Sequence, residues 1–184
     1  MVKKAFDNTM RGGMQVNVTE MVARAKRGDA NAFTQLIADR KDNLYRIAYS
    51  YVKNREDALD VVSETVYKAF ISLNKLKKPE YFYTWLTRIL INCAINHTKK
   101  TRRTMLTERE LPTIETKDIS REDLLDLYAA IDRLEEKQKT VVILKYLSDL
   151  TLEYVAEVMQ CPVGTVKTYL HKALQELRIE LKEG

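Results

Sequence analysis

Apolar residues along this chain recur at intervals of three and four, the period of helices that bury one face, and strand-type alternation is weak. A short helix is predicted over residues 19–27, ended by Gly28. Asp29 can cap the next, predicted as one long amphipathic helix to about residue 52 with Phe33, Leu36, Ile37, Leu44, Ile47, Ala48, Tyr51 and Val52 on one face. A third helix over 56–73 carries Ala58, Val61, Val62, Thr65, Val66, Ala69, Phe70 and Leu73 in unbroken three-four rhythm. After a basic loop at 74–79, a fourth over 81–100 turns Trp85, Leu86, Ile89, Leu90, Cys93 and Ala94 inward. Four such helices can close one core.

The rhythm stops at residues 101–120, where polar residues dominate and Pro112 interrupts, the pattern of an exposed linker. It resumes behind a capping-box pair, Ser120 and Asp123, with Leu124, Leu127, Tyr128, Ile131 and Leu134 on one helix and Val141, Val142, Leu144, Lys145 and Tyr146 on another. Thr151 can cap a helix holding Val155, Ala156 and Met159, a tight turn passes through Gln160 and Cys161, and Pro162 opens a last helix running to about residue 181. The fold class read from this pattern is all-α: two helical domains, 18–100 and 121–184, joined by a flexible linker at 101–120, the second domain carrying a helix-turn-helix. Residues 1–17 lack a helical period and are expected to be a tail, with Met14 a second candidate start.

Composition supports helices and adds a charge argument. Of 184 residues only 5 are Gly and 3 Pro, and 31 basic against 26 acidic residues leave a net charge of +5, which suits a polyanionic partner. The excess is concentrated: Lys75, Lys77, Lys78, Arg88, Lys99, Lys100, Arg102 and Arg103 face one acid, Glu80, within a single segment. Cys93 and Cys161 sit in apolar patterns in different halves and are expected as free thiols. No ligand-spaced Cys or His pair points to a metal, no cofactor is implied, and no apolar run reaches the length of a membrane span, so a cytoplasmic protein is expected.

Two steeply packed helices need a small residue at their crossing and apolar residues in and after the turn, which Ala156, Val163 and Val166 supply. In a helix-turn-helix the second helix enters the major groove, so its outward residues Thr165, Lys167, Thr168, His171 and Lys172 are candidates for base and phosphate contacts. The plain alternative is a helical hairpin with a solvated face. On the third helix, Asp57, Asp60 and Glu64 lie at i, i+3 and i+7, an acidic stripe opposite the apolar face that suits a basic helical partner or is merely solvated. A metal-dependent nuclease would need a second acidic cluster or a His nearby, and the pattern offers none.

Residues 150–178, with the core Cys161-Pro162-Val163-Gly164-Thr165-Val166-Lys167, resemble the promoter-reading region of extracytoplasmic-function sigma factors, the group 4 members of the sigma-70 family. The family usually has Gly where this chain has Gln160, and a left-handed backbone there would cost about 1 kcal/mol. The run from Asn54 to Thr65 resembles the family's segment for gripping the coiled coil of the polymerase largest subunit, which implies Asp57, Asp60, Val61, Glu64 and Thr65 as core-polymerase contacts; Ser63 stands where the family often has Gln. The run from Tyr83 to Asn96 is similar to its segment for opening and reading the minus-10 element. Captured bases need an apolar or aromatic pocket and amide groups, for which Tyr81, Phe82, Tyr83, Asn92 and Asn96 are candidates, and strand phosphates need cations, for which Lys77, Lys78, Arg88, Lys99 and Lys100 are candidates. Trp85 reads as a core anchor.

The resemblance implies an alternative sigma factor that binds bacterial core RNA polymerase and promoter DNA, melts the minus-10 element, reads the minus-35 element through Thr165, Lys167, Thr168, His171 and Lys172, catalyses no covalent step itself, and is held inactive by an anti-sigma protein. A stand-alone helix-turn-helix regulator is the rival, and it would need a dimer helix that the pattern lacks.

Overall fold

The computed structural model describes residues 17–105, 121–148 and 150–183, and among these every regular element is helical. The tail at 1–16, the 106–120 stretch and the Ser120 cap lie outside them. Asn17 caps α1 (Val18–Lys26) through the Glu20 amide. The chain then turns at Gly28, whose φ of +95° few side chains tolerate. Asp29 caps α2 (Ala30–Ala38), accepting from the Ala32 amide at 3.1 Å and from Arg24 at 2.7 Å, and these bonds hold its carboxyl below the usual range.

The single helix expected to run to residue 52 is two. Arg40, at φ −125° and ψ 3°, leaves helical geometry between α2 and α3 (Lys41–Val52). The apolar rhythm is compatible with one straight helix, but α2 packs on α1 while α3 packs on other helices, and one axis cannot serve both. The polar run Asp39-Arg40-Lys41-Asp42 lets the chain turn without exposing apolar surface. After Lys53, left-handed at φ 57°, Asn54 caps α4 (Arg55–Ser72) with bonds to the Glu56 and Asp57 amides. Two short 3-10 turns, Leu73–Lys75 and Pro79–Tyr81, carry the basic loop into α5 (Phe82–Met105), which continues past the expected boundary at residue 100. α5 packs on both α3 and α4, and Leu36, Leu44, Ile47, Val61, Phe82, Leu86 and Leu90 are fully or almost fully buried between these helices and α1 and α2.

The second half comprises α6 (Arg121–Arg133), α7 (Glu136–Val142) running on into a wider π-helical turn at Ile143–Leu147, α8 (Leu152–Met159) and α9 (Val163–Glu183). Ala130, Ile131, Leu134, Val142, Ala173 and Leu177 close a small core between α6, α7 and α9. Thr151 caps α8 as expected, and Gln160 ends it in the left-handed region at φ 55°, ψ 41°. The larger buried cluster does not stop at the domain boundary: Val141, Ile143, Leu144 and Val155 join the residues of α1 to α5, with α8 against α5 and the π-helical turn against α3. No helix among the described residues is long and apolar enough to cross a membrane.

Gln160 carries the cost of a left-handed backbone that glycine avoids. Gln160→Gly should therefore raise unfolding stability by about 1 kcal/mol, measured by denaturant titration; an unchanged or lowered midpoint would mean that the Gln160 side chain compensates the strain.

Candidate nucleic-acid interface

The recognition surface on α9 follows from how the helix is anchored. Val166 and Ala173 are buried and Val163 and Leu170 pack partly against the core, so the remaining face is turned outward. Lys167, Thr168, His171 and Lys172 are exposed on it, while Thr165 is partly covered. The Thr168 hydroxyl donates to the Gly164 carbonyl at 3.0 Å, which leaves its lone pairs and its methyl group for a partner.

On the other half, α4, the turn that follows it and α5 leave an open groove of about 380 Å³, lined by Lys68, Ile71, Ser72, Lys75, Ile89, Asn92 and Cys93. The groove pairs an apolar wall, Ile71 and Ile89, with the Asn92 amide and the ammonium groups of Lys68 and Lys75. The sequence points to Asn92 here but not to Lys68, Ser72 or Ile89, because only the juxtaposition of two helices makes them neighbours. Asn96 is exposed one turn further along α5, and Lys77, Lys78, Lys99 and Lys100 are exposed as a strand-binding role requires. Lys78 stands 5.7 Å from the centre of the Tyr81 ring, at the entrance to α5.

The aromatic candidates divide. Tyr81 and Tyr83 are partly exposed, the latter under the Arg40 guanidinium at 4.4 Å. Phe82 is 0% exposed, edge-on to Tyr83 and tilted against Trp85, so it cannot stack on a base; it is a core anchor and not the base-capturing ring expected.

On α4 the expected acidic stripe is present, with Asp60 and Glu64 exposed and Asp57 partly so. Glu64 pairs with Lys68 at 2.6 Å and raises that ammonium above its ordinary range, and Asp57 lies 3.5 Å from His97 Nε2. Val61 and Thr65 are 0% exposed and cannot reach another protein: Val61 is core, and the Thr65 hydroxyl donates back to the Val61 carbonyl. The resemblance places the whole segment, but helical period puts these two on its inner side. Tyr67 and Ile71 instead continue the outward stripe, 64% and 60% exposed.

One minus-10 candidate is already engaged. Arg88 Nε donates to the Val158 carbonyl at 3.0 Å and its terminal nitrogen to the Glu157 carbonyl, both at the C-terminal end of α8, where backbone dipoles favour a cation. Lys99 pairs with Glu136 at 2.9 Å across the same boundary. Nearby, the Thr140 hydroxyl donates to the Glu136 carbonyl, so the Tyr51 hydroxyl must be the donor in its 2.8 Å bond to Thr140. By the same logic Thr87 donates to Tyr83 and accepts from the Tyr154 hydroxyl at 3.4 Å. Lys53 donates to the Ser50 carbonyl, lies 4.0 Å from the centre of the Tyr128 ring, and shares Asp132 with Lys139. Burial pulls its ammonium down to about 8, against the upward pull of Asp132 and with a further push down from Lys139.

Comparison with known proteins gives a consistent result for both halves. Residues 36–104 match the family model for Sigma-70 region 2 and residues 124–177 the model for Sigma-70, region 4. The RNA polymerase sigma factor SigV of Bacillus subtilis is 40% identical over 148 residues, spanning 79% of this chain and 88% of SigV. The ECF RNA polymerase sigma-E factor of Haemophilus influenzae is 32% identical over 184 residues, 91% of this chain and 97% of that protein. Among solved structures, CnrH in complex with the cytosolic domain of CnrY has a TM-score of 0.71 at 22% identity over 90% of this chain and 97% of that one. The sigma factor RpoE, in complex with the anti-sigma factor NepR from Bartonella quintana, gives 0.64 at 24% over 82% and 96%. At these identities the structural likeness is one of fold.

Two measurements follow from the geometry. Phe82→Ala should lower stability by about 3 to 5 kcal/mol, as loss of a buried anchor does; a variant as stable as wild type would return Phe82 to the surface. Lys53 titrates near 8 in the folded chain but near 10.5 when hydrated, so below pH 8 both forms are charged and the folded chain bears the full desolvation cost. As pH rises from 8 to 10 the cost is relieved, and wild type should gain about 2 kcal/mol relative to Lys53→Met; a flat difference would mean that the ammonium stays hydrated.

Proposed function

The chain belongs to the extracytoplasmic-function group of the sigma-70 family of RNA polymerase sigma factors, and from that premise we propose how its residues divide the work of promoter recognition. It is an alternative sigma factor: it binds core polymerase and promoter DNA and directs transcription initiation. In our reading residues 18–105 form the unit that grips polymerase and the melted minus-10 strand, and 121–184 the unit that reads the minus-35 duplex. The observation that carries the second assignment is α9, which buries Val166 and Ala173 and turns Lys167, Thr168, His171 and Lys172 to solvent together.

Asp57, Asp60 and Glu64 face the polymerase, with Tyr67 extending the contact along the same side of α4. A base pulled from the duplex enters the groove between α4 and α5, where Asn92 can bond its edge and Ile89 and Ile71 cover its faces, while Lys68, Lys75, Lys77, Lys78 and Arg88 hold the strand. Tyr81, Tyr83, Asn96, Lys99 and Lys100 flank this path. Strand opening is driven by capture of unstacked bases and by polymerase contacts. On this reading the chain performs no covalent chemistry, works in the cytoplasm where polymerase and chromosome are, and has an anti-sigma protein as a further partner, as RpoE of Bartonella quintana has in NepR.

Run-off transcription with core polymerase on a genomic promoter library tests the function as a whole, and transcripts no different from core enzyme alone would refute it. Asp60→Arg with Glu64→Arg turns two attractive contacts into repulsive ones on an exposed face and should abolish capture of core polymerase in a pull-down without changing the helical content. Lys167→Ala or His171→Ala should cost about 1 to 3 kcal/mol on the native minus-35 element and relax discrimination there, whereas Lys172→Ala should weaken all sequences alike and flatten the salt dependence. Identical sequence profiles for wild type and the first two variants would move specificity to other positions.

A further inference from the structure

We propose that this chain holds a second base of the melted strand, stacked on Phe70 in the cavity between the α1–α2 turn and the C-terminal end of α4. This rests on the assignment of the groove between α4 and α5 to a first base. The cavity holds about 260 Å³, and Phe70, Leu73, Asn74, Gly28, Asp29 and Lys26 are among the residues that line it. The apolar rhythm of α4 would turn Phe70 inward, yet its ring is 58% exposed. The buried Phe33 ring meets it at 5.4 Å and 68°, which fixes the ring while most of it stays open to solvent. A rigid, exposed aromatic of this kind gains most from a planar partner.

The charges around the cavity already have partners. The Asp29 carboxylate accepts from Arg24 and from the Ala32 amide, and the Lys26 ammonium donates to the Leu76 carbonyl. A basic side chain of a protein partner would therefore find no free carboxylate there, whereas a neutral planar body can use the Phe70 face and bond its edge to the exposed Asn74 amide. The acidic stripe assigned to polymerase points elsewhere: at 100° per residue Phe70 stands about 80° to 140° around α4 from Asp57, Asp60 and Glu64.

Position ties this cavity to the first. Phe70 and Ile71 are consecutive, as are Asn74 and Lys75; the first of each pair lines the second cavity and the other lines the groove. The end of α4 and the turn at Leu73–Lys75 thus form one ridge with a cavity on either side, each pairing apolar surface with an amide, Asn74 here and Asn92 there. A strand that crosses the ridge passes the exposed Lys75, with Lys77 and Lys78 exposed just beyond to meet its phosphates. Two bases splayed to opposite sides of the ridge fill both cavities.

The test uses core polymerase loaded with the full chain and fluorescein-labelled single strands of random sequence that carry 5-iodouridine, a photoprobe that joins to an aromatic ring on which it is stacked. Mass spectrometry of the unaltered protein should place the cross-link at Phe70. Phe70→Leu keeps an apolar side chain without a planar face. It should erase that cross-link and weaken the strand about tenfold, and Phe70→Trp should restore affinity, while capture of core polymerase and helical content stay as in wild type. Asn92→Ala should weaken the strand but leave the Phe70 cross-link in place. A strand weakened by Asn92→Ala but not by Phe70→Leu, and never joined to Phe70, overturns the second site and leaves the groove standing. A cross-link at Phe70 with affinity indifferent to Asn92→Ala overturns the two-base arrangement through the groove instead. If Phe70→Leu loses polymerase capture while strand affinity per bound chain is unchanged, the cavity belongs to the polymerase and the proposal falls.

Discussion

The burial of α5 on several sides at once is the constraint from which the rest of the molecule takes its arrangement. Its inward residues Phe82, Leu86 and Leu90 are inaccessible to water, each worth about 1.5 to 3 kcal/mol of apolar transfer, and they hold α3 and α4 at fixed positions. One flank of the helix then forms the groove with α4, and another flank meets α8. Arg88 and Asn92 lie one turn apart and therefore on the same side of α5, but the long Arg88 side chain reaches the end of α8 while Asn92 lines the groove with α4.

The two kinds of contact in the protein differ in chemistry. Within each half the helices meet through aliphatic residues, and a cavity there is costly because nothing replaces the lost contacts. Between the halves apolar residues of α8 join the same cluster, and beside them lie polar contacts: Thr87 with Tyr154, Arg88 with the carbonyls of Glu157 and Val158, and Lys53 with Asp132, the ammonium of Lys53 being kept from water at a cost. The polar contacts, unlike the apolar ones, can be exchanged for water.

Much of this was legible in the sequence because helical period is a local property. The three-four spacing marked α1, α4, α8 and α9, Asp29 and Thr151 capped where their side chains suggested, and Gln160 took the left-handed backbone expected of the glycine it replaces in the family. The outward residues of α9 followed from knowing which of its residues turn in. The break between α2 and α3 was not legible, since the rhythm runs through it and only the need to pack on different partners bends the chain.

What the sequence determined by itself was thus most of the elements, most of their buried positions and the family, all of which depend on residues within a few turns of one another. Tertiary structure alone decided three things. Phe82 is interior and Phe70, on the apolar rhythm of α4, is 58% exposed, because packing decides which positions of a local pattern meet a neighbour. Lys68, Ser72 and Ile89 share a groove, because α4 and α5 converge from different parts of the chain. Arg88 is bound by α8, 69 and 70 residues later in the chain, through backbone carbonyls that carry no residue identity for a sequence to reveal.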